Sequence, residues 1–144
     1  EVSAWDISTD ALRIARGNAA SLHAVVDFRQ QDALHAPMED REKWDLIISN
    51  PPYVMEKERK EMADNVLRHE PSLALFVPND DPLRFYRAIA RYGKHALRPG
   101  GTLLFEINPL LAEDMLRLLE EESYQHVQLI ADAFGKSRFT KATI

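Results

Sequence analysis

The amino-acid sequence predicts an α/β fold with a mostly parallel sheet, and three observations support this prediction. Short apolar segments typical of strands alternate with segments of helical periodicity over most of the 144 residues. Residues 44–49 form an apolar run that indicates a strand buried on both faces, as in a parallel sheet. Two segments near the end of the chain indicate an antiparallel pair of strands that closes the sheet.

Local signals place each element along the chain. The segment Ser8-Thr9-Asp10 offers an N-cap to the first helix. Pro51 and Pro52 end the third strand, because proline cannot donate to a ladder of backbone hydrogen bonds. Prolines also predict a loop over 70–82, and residues 98–101 predict a break before the next strand. The predicted strands are 2–7, 24–30, 44–49, 102–107, 125–131 and 138–144, and the predicted helices are 11–22, 83–97 and 110–122.

Composition and charge exclude several classes of protein. The apolar share of 45% and the charged share of 28% are ordinary for a globular domain. The sequence has no cysteine, which excludes a disulfide scaffold, a thiol nucleophile and cysteine-ligated metal sites. The five histidines lack metal-ligand spacing, so no metal site is predicted. A net charge of -5 does not favour direct binding to nucleic acid, and no apolar stretch approaches the ~18 residues of a membrane span.

Polar residues follow the first three predicted strands, at the ends where open parallel sheets bind their ligands. Asp6, Asp32 and Asn50 are therefore expected at one edge of the sheet. Asp6 could accept hydrogen bonds from both hydroxyls of a ribose, and the alternative is a capping role at the following helix or a local turn. Asp32 could hold an adenine amino group or a backbone amide, and the alternative is a cap of the following loop.

The tetrapeptide Asn50-Pro51-Pro52-Tyr53 carries the strongest chemical signal. The side-chain carbonyl of Asn50 and the backbone carbonyl of Pro51 can together accept both hydrogens of a planar NH2 group. Accepting both hydrogens returns electron density to the nitrogen, which is a weak nucleophile. It also fixes the direction of the nitrogen lone pair. Tyr53 can lie against the flat group, and the prolines fix the loop before binding. The alternative is a proline-rich turn without a chemical role.

Several motifs resemble those of a known family. The tetrapeptide after a buried strand is similar to the signature of methyltransferases that use S-adenosylmethionine to methylate planar amino nitrogens. Nearly the whole chain resembles the HemK/PrmC family, whose members methylate N5 of a glutamine in peptide-chain release factors. The motifs that carry the resemblance are Asp6-Ile7-Ser8, Ala11-Leu12, Asn65-Val66-Leu67, Glu70-Pro71, Leu73-Ala74-Leu75-Phe76, Asp80-Asp81-Pro82-Leu83, Phe85-Tyr86-Arg87-Ala88-Ile89 and Arg98-Pro99-Gly100-Gly101 before a strand that ends in Glu106.

The resemblance implies a role for each site residue. Asp6 would bind the ribose of S-adenosylmethionine, and Asp32 would lie near its adenine. Asn50 and Pro51 would bind the glutamine amide, and Tyr53 would pack on it. Glu70 would have a structural role. The implied catalytic residues are Asn50, Pro51, Pro52 and Tyr53, and the implied cofactor-binding residues are Asp6, Ile7, Asp32, Ala33 and Asn50.

The resemblance also implies a fold, a partner and a location. The fold would be the Rossmann-like class I S-adenosylmethionine-dependent methyltransferase fold, with an antiparallel last strand. The partner would be a release factor in the cytoplasm, without membrane attachment and without direct binding to nucleic acid. The sequence contains no signal that predicts an oligomeric state.

The sequence departs from the family at its start. The first strand of the family fold and the glycine-rich loop after it have no counterpart in this sequence. The chain has 5 glycines, and none of them forms such a loop. Residues 1–144 are therefore expected to be a partial catalytic domain, without the family's N-terminal helical domain. The first strand is central in the family order 3-2-1-4-5-7-6, so its loss would leave two strand edges unpaired. We expect this chain alone to bind the cofactor weakly and to show little activity.

Two alternative functions fit the same sequence. An enzyme that methylates N6 of adenine in DNA or RNA would use the same tetrapeptide, because that amino group is also planar, but it usually needs a cationic face for the strand. An inactive binding module with a methyltransferase-like fold is the other alternative. Such a module would have no physical need for the tetrapeptide.

Overall fold

The computed structural model describes residues 1–61 and 72–144, which form two compact units, Glu1–Ala36 and Pro37–Ile144. Part of the predicted motifs, including Asn65 and Glu70, lies outside the described residues. None of the described helices has the length and apolar character that crossing a membrane requires. The strands are β1 Ser3–Asp6, β2 Asp27–Gln30, β3 Trp44–Ser49, β4 Val54–Met55, β5 Phe76–Val77, β6 Leu97–Glu106, β7 Gln125–Ala131 and β8 Ser137–Thr143. The α-helices are α1 Thr9–Ser21, α2 Ser72–Leu75, α3 Arg84–Ala96 and α4 Ala112–Glu121, and the 3₁₀ turns are Ala33–His35, Glu56–Glu61 and Pro109–Leu111.

The first unit is a pair of parallel strands joined by a helix. Strands β1 and β2 run in register from the Ser3–Asp27 pair to the Asp6–Gln30 pair, and α1 connects them. The predicted N-cap is confirmed, because the Ser8 hydroxyl accepts a hydrogen bond of 3.2 Å from the backbone N–H of Ala11. Strand β2 begins three residues later than predicted. The backbone of the preceding segment is held at the end of α1, where the N–H of residue 24 donates to the carbonyl of residue 19.

The second unit is built on a four-stranded sheet in the order β3-β6-β8-β7. Strands β3 and β6 are parallel, and β8 runs antiparallel to both β6 and β7, so the predicted closing pair is confirmed. Helical periodicity in the predicted helices 83–97 and 110–122 marks apolar residues that face the core, and these residues are buried, with Leu83 partly so. They are Leu83, Tyr86, Ile89, Ala90, Leu97, Met115, Leu118 and Leu119.

Strand β6 is longer than predicted, because the expected break at residues 98–101 lies within it. Gly100 has a φ of +76°, a conformation that glycine adopts without steric cost. The pairing with β3 is irregular there, yet the segment stays in the sheet. The N–H of Gly100 donates to the carbonyl of Ile144, and the N–H of Ile144 donates to the carbonyl of Gly101.

The prediction of a loop over residues 70–82 is wrong for the middle part of that segment. Residues 72–75 form α2, and β5 pairs in parallel with β4, so that Met55 lies opposite Val77. Both side chains are buried in a small cluster with Leu111. Burial of these apolar groups stabilises regular structure in a segment whose prolines had predicted a loop.

The described strands form three separate sheets, β1-β2, β3-β6-β8-β7 and β4-β5. In the family's numbering the first two have the orders 3-2 and 4-5-7-6. These orders match the family order with its first strand left out.

The predicted burial of β3 on both faces is wrong. Ile47 lies beside α3, but Leu46 and Ile48 on the opposite face are 50% and 66% exposed.

Candidate functional site

The predicted catalytic tetrapeptide begins where β3 ends. Ser49, the last residue of β3, lies opposite Phe105 of β6, and Asn50 follows it with an exposed side chain. Among the described residues the Asn50 amide makes no hydrogen bond. Pro51 is buried, so the backbone at this corner is held while the amide beside it stays accessible. The arrangement leaves a carbonyl acceptor free to bind a planar amino group.

Tyr53, the last residue of the tetrapeptide, is held by a carboxylate. Its hydroxyl donates a hydrogen bond of 2.8 Å to Oε1 of Glu106, the last residue of β6. Burial raises the pKa of the Tyr53 hydroxyl to about 12, the hydrogen bond and negative charge of Glu106 add to this, and Arg138 acts in the opposite direction. Tyr53 is therefore neutral at physiological pH. It can orient a neighbouring group but cannot serve as a base.

The backbone of Glu106 is held in turn by a buried tyrosine. The Tyr86 hydroxyl donates to the carbonyl of Glu106 at 3.0 Å. The Tyr86 ring packs edge-on against Phe105, with ring centroids 5.1 Å apart. Burial is the main cause that raises the pKa of Tyr86 above its ordinary value. Helix α3 thus fixes the end of β6, and β6 fixes Tyr53.

Two residues that the sequence analysis missed hold the other side of Tyr53. The Asn108 side-chain amide donates to the carbonyl of Tyr53 at 3.4 Å and to Oε2 of Glu58 at 3.0 Å. Oε2 of Glu58 also accepts a hydrogen bond of 2.9 Å from the N–H of Met55. Glu58 lies in the charged 3₁₀ turn Glu56–Glu61, and Asn108 caps the 3₁₀ turn that begins at Pro109.

The predicted ribose-binding residue Asp6 ends β1 and has an exposed side chain. Its Oδ1 accepts a hydrogen bond of 2.7 Å from the N–H of Ser8, which is a local turn contact, whereas the cap of α1 is the Ser8 hydroxyl. Among the described residues its second oxygen makes no hydrogen bond. Ile7, the next residue, is 45% exposed, and its carbonyl accepts from the side chain of Gln30. A free carboxylate oxygen beside an exposed aliphatic side chain fits a ribose and a flat base.

Asp32 lies at the same edge of the two-stranded sheet as Asp6. The N–H of Gln31 donates to the carbonyl of Asp6 at 3.1 Å, which brings the two strand ends together. Asp32 caps the 3₁₀ turn that begins at Ala33, because its Oδ1 accepts from the N–H of Leu34 at 2.9 Å. Its Oδ2 lies 2.8 Å from the His35 ring. The structure thus shows the capping role, and contacts of Asp32 and Ala33 with adenine stay a prediction.

The structure brings the predicted residues together in two groups. Asp6, Ile7, Asp32 and Ala33 share one edge of the first unit, and the tetrapeptide belongs to the second unit. A meeting of Asn50 with Asp6 and Asp32 at one edge stays a prediction. No group of three or more metal-ligating side chains occurs in the described ranges.

A family of known domains matches the first half of the chain. The family is described as "Methyltransferase small domain", and the match covers residues 1–74. It includes both the Asp6 edge and the tetrapeptide.

Curated proteins from several bacteria are similar over nearly the whole chain. A "Release factor glutamine methyltransferase" from Bacteroides thetaiotaomicron is 54% identical over 142 residues, which are 99% of this chain and 51% of that protein. A protein of the same description from Flavobacterium psychrophilum is 40% identical, over 97% of this chain and 49% of that protein. The chain spans about half the length of the curated relatives it matches.

Solved structures show the same fold at low sequence identity. A methyltransferase from Pyrococcus furiosus superimposes with a TM-score of 0.67 at 16% identity, over 99% of this chain and 61% of that one. A ribosomal protein L11 methylase from Lactobacillus delbrueckii subsp. bulgaricus gives a TM-score of 0.62 at 18% identity, over 99% and 56%. The likeness confirms the predicted fold class.

Proposed function

The chain belongs to the methyltransferase small domain family, and from this premise we propose a specific reaction for it. The protein transfers a methyl group from S-adenosylmethionine to the side-chain amide nitrogen N5 of a glutamine in a peptide-chain release factor. Residues 1–144 are part of its catalytic domain. Two relatives described as release factor glutamine methyltransferases, 54% and 40% identical, support this choice of substrate. Because release factors work on ribosomes, the proposal also places the protein in the cytoplasm.

One observation carries the proposal, the accessible Asn50 amide beside a corner held by a buried proline. A glutamine amide is a weak nucleophile because its nitrogen lone pair is delocalised into the carbonyl. The Asn50 side-chain carbonyl and the Pro51 backbone carbonyl accept the two hydrogens of that nitrogen. Both acceptors draw electron density toward the nitrogen and set the plane of the amide. A group held in this way reacts without reorganisation of the site.

Tyr53 supplies the flat surface for the substrate amide. Its ring is held through its hydroxyl by Glu106, which restricts rotation of the ring. Because the hydroxyl stays neutral, Tyr53 does not take a proton. The substrate nitrogen loses its proton after methyl transfer, since methylation makes it acidic, and water can accept that proton. The site therefore needs orientation rather than a strong base.

The cofactor would be held at the carboxyl edge of β1 and β2. S-adenosylmethionine, when bound, supplies a methyl group that is already activated for displacement. The free oxygen of Asp6 accepts from the ribose hydroxyls, and the exposed side chain of Ile7 packs on the base. Asp32 and Ala33 lie at the same edge and border the adenine.

The experiment uses the complete protein with whatever sequence flanks residues 1–144, and cofactor labelled in its methyl group. Three acceptors are offered, a release factor, the same factor with the acceptor glutamine replaced by alanine, and unmodified DNA. Label is expected in the intact release factor only. Label in DNA would support the adenine alternative, and label in neither would support an inactive binding module. The same assay is run on Asn50→Ala, which removes the proposed acceptor. Asn18→Ala, which removes an exposed carboxamide from α1, is its matched control.

A further inference from the structure

We propose that Asn108 and Glu58 form a clasp that positions the catalytic tetrapeptide, and this role rests on the proposed function. Neither residue touches the substrate amide in this proposal. They act through the backbone of Tyr53 and of Met55, two residues further on. The clasp joins the end of β6 to the 3₁₀ turn Glu56–Glu61.

Asn108 is the centre of the clasp. It is 6% exposed, one of the two buried polar residues of the described chain. Its Oδ1 accepts a hydrogen bond of 3.0 Å from the N–H of Leu110, which fixes the orientation of the side-chain amide. Its Nδ2 therefore points at two acceptors, the Glu58 carboxylate and the Tyr53 carbonyl. A buried amide with both its ends engaged has little freedom to rotate.

Glu58 completes the clasp from the segment that follows the tetrapeptide. Its carboxylate accepts from the Asn108 amide and from the N–H of Met55, so it ties two separate parts of the chain. Hydrogen bonds to an ionised acceptor are stronger than those between neutral groups. Met55 is itself buried in the cluster with Val77 and Leu111. The chain after Tyr53 is thus held by both packing and hydrogen bonds.

The clasp and Glu106 act on Tyr53 from different sides. Glu106 holds the hydroxyl at the tip of the ring, and Asn108 holds the backbone carbonyl. Only two residues, both prolines with restricted φ, separate Tyr53 from Asn50. A shift of the Tyr53 backbone therefore passes through a stiff segment to the Asn50 and Pro51 acceptors. A misplacement of about 1 Å in a reacting geometry can cost on the order of 10²-fold in rate.

An exchange of the side-chain amide of Asn108 with the carboxylate of Glu58 tests the clasp. Asn108→Asp places a second carboxylate against Glu58, and the two repel each other. Adding Glu58→Gln restores a donor and acceptor pair with the roles reversed. In the double variant the new carboxylate at position 108 still accepts from the N–H of Leu110, and the new amide oxygen at position 58 still accepts from the N–H of Met55. Glu121→Gln, which neutralises an exposed carboxylate of α4, is the matched control.

We expect N108D to lower kcat for release-factor methylation about 10- to 100-fold. The Kd for the cofactor should stay within about threefold, since neither clasp residue is among the proposed cofactor-binding residues. The N108D/E58Q protein should recover only part of the lost kcat, because the pair between positions 58 and 108 is restored while the donor to the Tyr53 carbonyl stays absent. Hydrogen exchange at the Met55 amide should speed up in N108D and slow again in the double variant. Should N108D fail to fold, Glu58→Ala provides the same comparison from the partly exposed side of the clasp.

The outcomes separate the clasp from the proposed function. A parent protein that methylates the release factor, together with an N108D variant of unchanged kcat, overturns the clasp and leaves the function standing. A double variant no more active than N108D also overturns it, because a specific donor and acceptor pair would then be unimportant. A parent protein without methyltransferase activity refutes the proposed function, and the clasp as a catalytic device is refuted with it.

Discussion

The hydroxyl of Tyr53 and the carboxylate of Glu106 form a 2.8 Å hydrogen bond across 53 positions of sequence. The bond joins the last residue of the tetrapeptide to the last residue of β6. It ties the proposed catalytic corner to the parallel strand next to β3, from which the tetrapeptide itself emerges. The corner is thereby fixed to both strands that end at this edge of the sheet.

The raised pKa values of three tyrosines predict that the folded protein loses stability at alkaline pH. Burial raises the folded-state pKa of Tyr53 to about 12 and raises those of Tyr86 and Tyr124 above the ordinary value. Stability from these groups is complete below pH 10, where the hydroxyls are neutral in both states. It falls from pH 10 upward, and the part that Tyr53 contributes is lost by about pH 12, because the unfolded chain releases protons that the folded one retains.

Melting temperature against pH tests this expectation. The transition should move to lower temperature from pH 10 upward, and absorbance at 295 nm at pH 11 should report less tyrosinate in folded than in urea-denatured protein. Tyr53→Phe should flatten part of the decline. Equal tyrosinate absorbance in both states would contradict the assigned shifts.

Removal of the Asn50 side chain should stop turnover without loss of the cofactor site. Asn50→Ala deletes the acceptor that orients the substrate nitrogen, and loss of one such group typically costs about 10²- to 10³-fold in kcat. The Kd for the cofactor, measured by calorimetry on the complete protein, should change less than about threefold, because a cofactor contact of Asn50 would be minor. Near-normal turnover in this variant would show that amide orientation is not the source of the rate.

Asp6 is expected to contribute to cofactor affinity rather than to the methyl transfer. Asp6→Ala removes a charged acceptor, a loss of about 1.5–3 kcal/mol, or roughly 10- to 100-fold in Kd. Asp6→Asn is the matched control, since its side-chain oxygen can still accept from the N–H of Ser8. If the alanine variant bound the cofactor with the Kd of the parent, the role of Asp6 would be limited to its local contact with the N–H of Ser8.

Two glycines are expected to respond oppositely to alanine. A Cβ at Gly101 would lie 2.8 Å from the carbonyl oxygen of Arg98, which is backbone and cannot move aside cheaply. Gly101→Ala should therefore destabilise the protein by about 1–3 kcal/mol. Gly17, inside α1, has open space around it, and Gly17→Ala should stabilise by about 0.5–1 kcal/mol. Urea titrations measure both effects, and a stable G101A protein would contradict the tight approach in β6.

Features that depend on near neighbours could be predicted from the sequence. The Ser8 cap lies three residues from its partner, and the strand Trp44–Ser49 contains the apolar run Leu46-Ile47-Ile48. The tetrapeptide was found for the same reason, since its chemistry is contained in four consecutive residues. Where a local signal competes with packing, as at the prolines around β5, the prediction was wrong, because burial of Val77 outweighs the local preference for a loop.

The amino-acid order alone thus determined the alternation of elements, the α/β class and the identity of the residues that face the substrate in our proposal. The tertiary structure decided which partners hold them. Glu58 and Asn108 are 50 positions apart, and neither residue was predicted to belong to the site. A hydrogen bond between them depends on how β6 and the tetrapeptide come together. Such a contact has no periodicity in sequence, and only the folded chain shows it.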